Sequence, residues 1–188
     1  MALTPASSAG ATSSGVTVLY DTTLSATAAT IDTGAAGIAA SCRHLLVIAA
    51  LRSTKAATTD TAVFTFNADT SGVYYKELVR GFGASVGAVE AALAAANIPL
   101  EAVPGGTATA GLFTPLTLFI PNYASSTVKK AINGQEGYTF DLASTHVETS
   151  SFIGYYNATT AISRMTLTPG TGPWAAGSSL TVLGLGAA

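Results

Sequence analysis

Residues Gly83-Ala84-Ser85-Val86-Gly87 fit G-x-S-x-G, a spacing that presents a serine hydroxyl on a sharp strand-to-helix turn where it can attack an ester carbonyl. Asp141 and His146 come later, in the chain order that the acid and the base take in that arrangement. Such an elbow needs a parallel sheet covered by helices to aim it. A chain with 19 glycines among abundant serine and alanine also matches the pattern by chance. Ester hydrolysis by Ser85 is therefore a remote reading, and the chain is expected not to be an enzyme.

The other candidates are thinner. Cys42 and His44 stand two residues apart, a spacing that metal sites use, but the chain offers no second cysteine and only one more histidine, His146. A buried, inert thiol and an imidazole bonded to a loop carbonyl are the simpler readings. Asp60, Asp69, Asp141 and Glu148 are dispersed, and glycoside cleavage would require two of them to converge across a cleft. Asn67-Ala68-Asp69 opens like a calcium loop but lacks the later carboxylate, which favours a side-chain-capped turn. Tyr74, Tyr75, Tyr123, Tyr155 and Tyr156 carry faces that stack on sugars or bases, although tyrosine on a strand more often packs. Neither a metal nor a cofactor is expected.

Charge narrows the partners. Eight basic residues face ten acidic ones, the net charge is −2, and the longest basic run is Lys129-Lys130, so direct contact with nucleic acid is not expected. The longest strongly apolar run, Leu45 to Leu51, falls far short of the roughly 20 residues that span a bilayer, so no membrane partner is expected either. No signal peptide follows Met1, and synthesis in the cytoplasm without export is the expectation. Charged residues make up only 10% of the chain, against about 25% in an ordinary soluble domain. With 48% hydrophobic residues the chain is not disordered. A surface so poor in charge is expected to be covered by further copies of the chain or by a larger assembly.

The elements that would hold these residues read as strands. Residues 1–15, free of charge and almost free of large apolar groups, form a flexible N-terminal arm, and 16–188 form one domain. Alternation from Val16 to Tyr20 and small residues from Leu24 to Ile31 suggest two strands. His44 to Arg52 reads as a strand buried on both faces. Ala62–Asn67 and Val73–Val79 flank a turn at Asn67–Gly72 and predict a hairpin. The alanine-rich stretch Val86 to Asn97 predicts one short helix. Phe113 to Tyr123 is a strand carrying prolines at 115 and 121, which belong at a strand end, an edge or a bulge, and Asn133-Gly134 signals a hairpin between 127–132 and 138–142. His146 to Tyr156 is a further strand. Ile162 to Thr168 and Ser179 to Leu183 then close a last hairpin around the only tryptophan, Trp174. Eight to ten short strands at this spacing predict an all-β, antiparallel sandwich of the jelly-roll kind.

Several segments together carry a resemblance: Leu19-Tyr20-Asp21, His44-Leu45, Phe66-Asn67-Ala68-Asp69, Ile120-Pro121-Asn122-Tyr123, and the ending from Ala161-Ile162-Ser163-Arg164 through Trp174 to Leu183-Gly184. They resemble segments of tailed-bacteriophage virion structural proteins, over most of residues 16 to 186. Residues 81 to 111 have no counterpart in it. The resemblance implies a jelly-roll or β-sandwich subunit located in the virion. A capsid decoration or cement protein on the outer head is the leading expectation, a homotrimer bound to the major capsid protein or other virion proteins. The alternative is a tail-tip, fibre or adaptor module that contacts a host glycan or another tail protein.

Overall fold

Period-two burial shapes this chain. The computed structural model describes residues 15–83, 85–139, 141 and 147–187, and these contain strands but no helix. In chain order the strands are β1 (Val16–Thr23), β2 (Ile31–Asp32), β3 (Cys42–Leu51), β4 (Thr59–Phe66), β5 (Tyr74–Phe82), β6 (Ser85–Ala95), β7 (Ile98–Pro104), β8 (Thr114–Ile120), β9 (Lys130–Tyr138), β10 (Glu148–Tyr156), β11 (Met165–Pro169) and β12 (Ser179–Ala187). β8 and β10 alternate buried and exposed residues without a break, as strands do when one face covers a core and the other does not.

Two antiparallel sheets result. One has eight strands in the order β1-β12-β3-β8-β9-β10-β5-β6, the other four in the order β2-β11-β4-β7. Their inner faces form a β-sandwich core that includes Val47, Phe64, Leu118, Ile132, Leu167 and Val182, all fully buried. Four strands about 4.8 Å apart span only half the width of eight, so the larger sheet extends past the smaller.

Several sequence expectations change. The predicted helix over 86–97 is β6, paired with β5 in a register that sets Val79 opposite Ala88 and Gly81 opposite Val86. Alanine's helix preference is worth only tenths of a kcal/mol per residue, and a neighbouring strand overrides it. Asn133-Gly134 is no turn but the middle of β9, between β8 and β10. A Cβ on Gly134 would fall on the ring of Phe152, so the glycine is there for space rather than for a turn. The strand read as buried on both faces is buried on one: in β3, Leu45, Val47, Ala49 and Leu51 are covered while Ile48 is 45% exposed. Between Leu24 and Ile31 only Ala28 bridges, to Trp174, before β2 begins. The expected arm at 1–15 lies, but for Gly15, outside the described residues.

Both flanking hairpins prove to be crossings between sheets. β4 belongs to the small sheet and β5 to the large one. The turn joining them holds Asn67 and Ala68 at positive φ, 54° each. Asn67 anchors it: its Oδ1 accepts the Ser163 N–H at 2.9 Å and its Nδ2 donates to the Ala161 carbonyl at 2.9 Å. Asp69 accepts the N–H of Ser71 at 2.9 Å, the capped turn expected from the sequence. β11 and β12 likewise lie in different sheets. Trp174, between them, is fully buried. It exchanges backbone hydrogen bonds with Ala28 and donates its indole N–H to the Leu167 carbonyl at 3.0 Å.

Candidate functional site

β5 sends Tyr74, Lys76 and Leu78 inward, so a lysine lies in an otherwise apolar stripe. Its side chain is fully buried, which is tolerable only with charge and hydrogen-bond partners. Nζ lies 2.6 Å from Glu136 Oε1 on β9, donates to the Pro99 carbonyl on β7 at 2.8 Å, and stands 3.8 Å from Glu101 Oε1. It also lies 4.3 Å from the centroid of the Phe152 ring on β10, where the π face attracts a cation. The second oxygen of Glu136 accepts the Glu101 N–H at 3.1 Å. This cluster ties β7, the edge of the small sheet, to three strands of the large one.

Two residues further along β5, Arg80 continues the polar row. Its Nη1 lies 3.1 Å from Glu101 Oε2 and 3.8 Å from Glu148 Oε1. Glu148, at the start of β10, has a side chain only 6% exposed, and its Oε1 has no hydrogen-bond partner; nor has the nearby buried Ser150 Oγ. Burial pushes the Tyr138 hydroxyl above its ordinary pKa, and the charge and hydrogen bond of Glu148 add to the rise. Beyond these groups opens a cavity of about 400 Å³. It is lined by Arg80, by the row Tyr138, Glu148, Phe82 and Ser85 that runs across β9, β10, β5 and β6, and by the start of β6. Ligand pockets commonly hold 300–1,000 Å³ with a few convergent polar groups.

Ser85 thus borders the cavity, but not as a nucleophile elbow. It opens β6 directly opposite Phe82 of the antiparallel partner β5, where the motif requires a helix to follow. The Asp141 backbone carbonyl accepts the Thr139 hydroxyl at 3.2 Å, and His146 lies outside the described residues. Cys42 and His44 do not converge. Cys42 is buried, its sulfur beside the space a Cβ on Gly184 would take. His44 packs against the half-exposed Phe119, and its Nδ1 accepts the Asn122 N–H at 3.2 Å rather than donating to a carbonyl. Among the described residues no three His, Cys, Asp or Glu side chains gather as a metal site.

The remaining acids are spread as the sequence suggested. Asp60 is buried and takes the Thr171 hydroxyl at 2.9 Å and the Gly172 N–H at 3.2 Å. Burial pushes its carboxyl up, but these donors outweigh it and hold the pKa below the ordinary 3.8. Of the tyrosines, Tyr74, Tyr123 and Tyr156 are buried, and Tyr75 and Tyr155 sit opposite one another on β5 and β10 with Tyr155 half exposed. Those two share a second, shallower recess with Lys129 and Asn157.

Sequence reasoning passed over Lys76, Arg80, Glu101 and Glu136. The parity of β5 carried the signal for Lys76, which sits in phase with Tyr74 and Leu78. No family model matches the chain, and no match is found among curated proteins or among solved structures.

Proposed function

We propose that this protein is a structural subunit of a tailed-phage virion, a decoration or cement protein on the outer head that assembles as a homotrimer. The virion location rests on the resemblance of its segments to such proteins. The assembling role rests on the outer face of the eight-stranded sheet. One row across that face runs Val18, Leu183, Leu46, Phe119, Asn133, Ile153, Glu77, and the next runs Asp21, Thr181, Ile48, Thr117, Gln135, Ser151, Val79. Over these seven strands each row holds a single charged residue, a carboxylate, and on β6 the first row continues to Glu90, opposite Glu77, and the second to Ala88. Val18, Ile48, Val79 and Ile153 are each 45–63% exposed.

A face seven strands wide and about seven residues long measures roughly 30 Å by 23 Å, close to the ~800 Å² that each partner contributes to a standard interface. Its occupant is a further copy of the chain. Subunits joined this way and bridging neighbouring capsid proteins favour the closed shell by mass action, because they bind the assembled state and not the dispersed one.

Two measurements test the reading. Ile48→Lys and Ile153→Lys, placed on the face without touching the core, convert the trimer to monomer in light scattering; an unchanged mass removes the face as the interface. Copy number in the purified particle decides the location. Hundreds per particle support decoration, while a few dozen or fewer place the subunit in the tail.

A further inference from the structure

We propose that the cavity beside the β5–β6 hairpin binds a neutral saccharide unit, with Arg80 and Glu148 as its polar contacts and Phe82 as its apolar wall. This goes beyond the assembly role, since Arg80 and Glu148 follow the inward parity of Lys76 and Glu136, opposite to the face assigned to subunit packing.

The charges around the cavity exclude the simpler ligands. An anion would meet Glu148, whose nearly buried carboxylate keeps one oxygen without a hydrogen bond. A cation would meet the guanidinium of Arg80, 44% exposed. What suits both is a group that donates and accepts at once. The Arg80 Nη1 to Glu148 Oε1 separation of 3.8 Å is an ion pair too long for a hydrogen bond. Oε1 itself is closed to solvent, so a turn of the exposed Arg80 side chain admits a hydroxyl oxygen about 2.8 Å from each atom, donating to the carboxylate and accepting from the guanidinium.

The rest of the lining fits the same ligand. Phe82 is 40% exposed, an apolar wall for the C–H face of a sugar ring. Ser85 adds a hydroxyl that also donates and accepts, and Tyr138, whose proton goes to Glu148, adds an acceptor. A volume of about 400 Å³ takes a sugar ring and its substituents. Burying hydroxyls in a site that hydrogen-bonds them selects for them, because an analogue without them would leave the site's polar groups unpaired.

The test is heteronuclear NMR of the full chain titrated with glucose, galactose and N-acetylglucosamine, with guanidinium chloride and sodium phosphate as ionic comparisons. At least one sugar is expected to shift the amide signals of residues 80–87, 138 and 148. Glu148→Gln is expected to weaken that sugar about tenfold or more, as loss of a hydrogen bond to a charged group does. Ser85→Arg, on the same face as Phe82 and Glu148, fills the cavity from an exposed position and is expected to abolish the shifts, so it answers the question even if Glu148→Gln unfolds the chain. No shift with any sugar, equal shifts in wild type and Ser85→Arg, or shifts at these residues with only guanidinium or phosphate would overturn the proposal.

Discussion

Replacing Lys76 by methionine probes how the two sheets are held together at their open side. The side chains match in length, so the change removes a charge and its hydrogen bonds while leaving volume nearly constant. In wild type, Nζ serves Glu136, the Pro99 carbonyl and the Phe152 ring, with Glu101 a little farther off. In Lys76→Met, Glu136 keeps only the Glu101 N–H, and its carboxylate, 2% exposed, loses its nearest cation. Breaking a buried pair in this way costs about 3–5 kcal/mol. Unfolding entropy of about 2.1 cal/mol/K per residue gives about 0.4 kcal/mol/K for this chain, so 4 kcal/mol corresponds to a fall in Tm of about 10 °C. Urea titration at pH 7 reads the same quantity, at one fixed protein concentration because assembly adds to apparent stability. The double variant Lys76→Met, Glu136→Met removes both charges and should recover most of the loss, since an apolar pair often replaces a buried ion pair without penalty. A single-variant loss below about 1 kcal/mol, or a double variant as unstable as the two singles added together, would refute the view that this cluster clamps β7 to the large sheet.

Other expectations follow from the geometry already described. Gly134→Ala drives a methyl into the Phe152 ring and should destabilise by about 1–3 kcal/mol, with Phe152→Leu added on top restoring part of it in urea titration. Trp174→Ala empties a fully buried site and should cost about 3–5 kcal/mol, seen as a lower thermal midpoint. Acid should unfold the protein through its aspartates. Asp32, held mainly by the Arg164 guanidinium, Asp69, held by Ser71, and Asp60 all have folded pKa values lowered from 3.8. Their stabilisation is fully present above the unfolded pKa and is lost as pH falls through the lower folded values. Stability measured by urea between pH 6 and pH 2, a range of about four units, should therefore drop below roughly pH 4, and Asp60→Asn should shrink that drop while lowering stability at pH 7.

What was legible in the sequence was what local pattern controls. Alternation marked most strands, Asn67 to Asp69 marked a turn, and of the end, edge or bulge open to the prolines at 115 and 121 the structure has the ends of β8. What failed was decided by partners distant in sequence. Asn133-Gly134 has the strongest local turn signal in the chain, yet the Phe152 ring on the next strand requires a residue without a side chain at that place. Residues 86–97 carry alanines that prefer a helix, yet the β5 edge offers a full set of backbone partners. The hairpins read around Asn67 and Trp174 were sound as turns but not as pairings, because nothing in either segment tells which sheet receives the next strand. The polar cavity was the least legible. Its groups come from β5, β6, β9 and β10, and Ser85 drew notice for a motif whose geometry it does not have.

The placement of β12 between β1 and β3 bears on how the chain acquires its structure during synthesis. β1 has no other partner in its sheet, and Asp21 meets Thr181 160 residues later in the chain. β1 therefore stays unpaired in its sheet until β12 has been made. Topologies dominated by such distant pairings fold in milliseconds to seconds rather than microseconds, and the free edges of β1 and β3 that wait for β12 are open to neighbouring chains. Slowed translation just before Ser179, where β12 begins, should therefore lower the soluble yield more than a pause earlier in the domain.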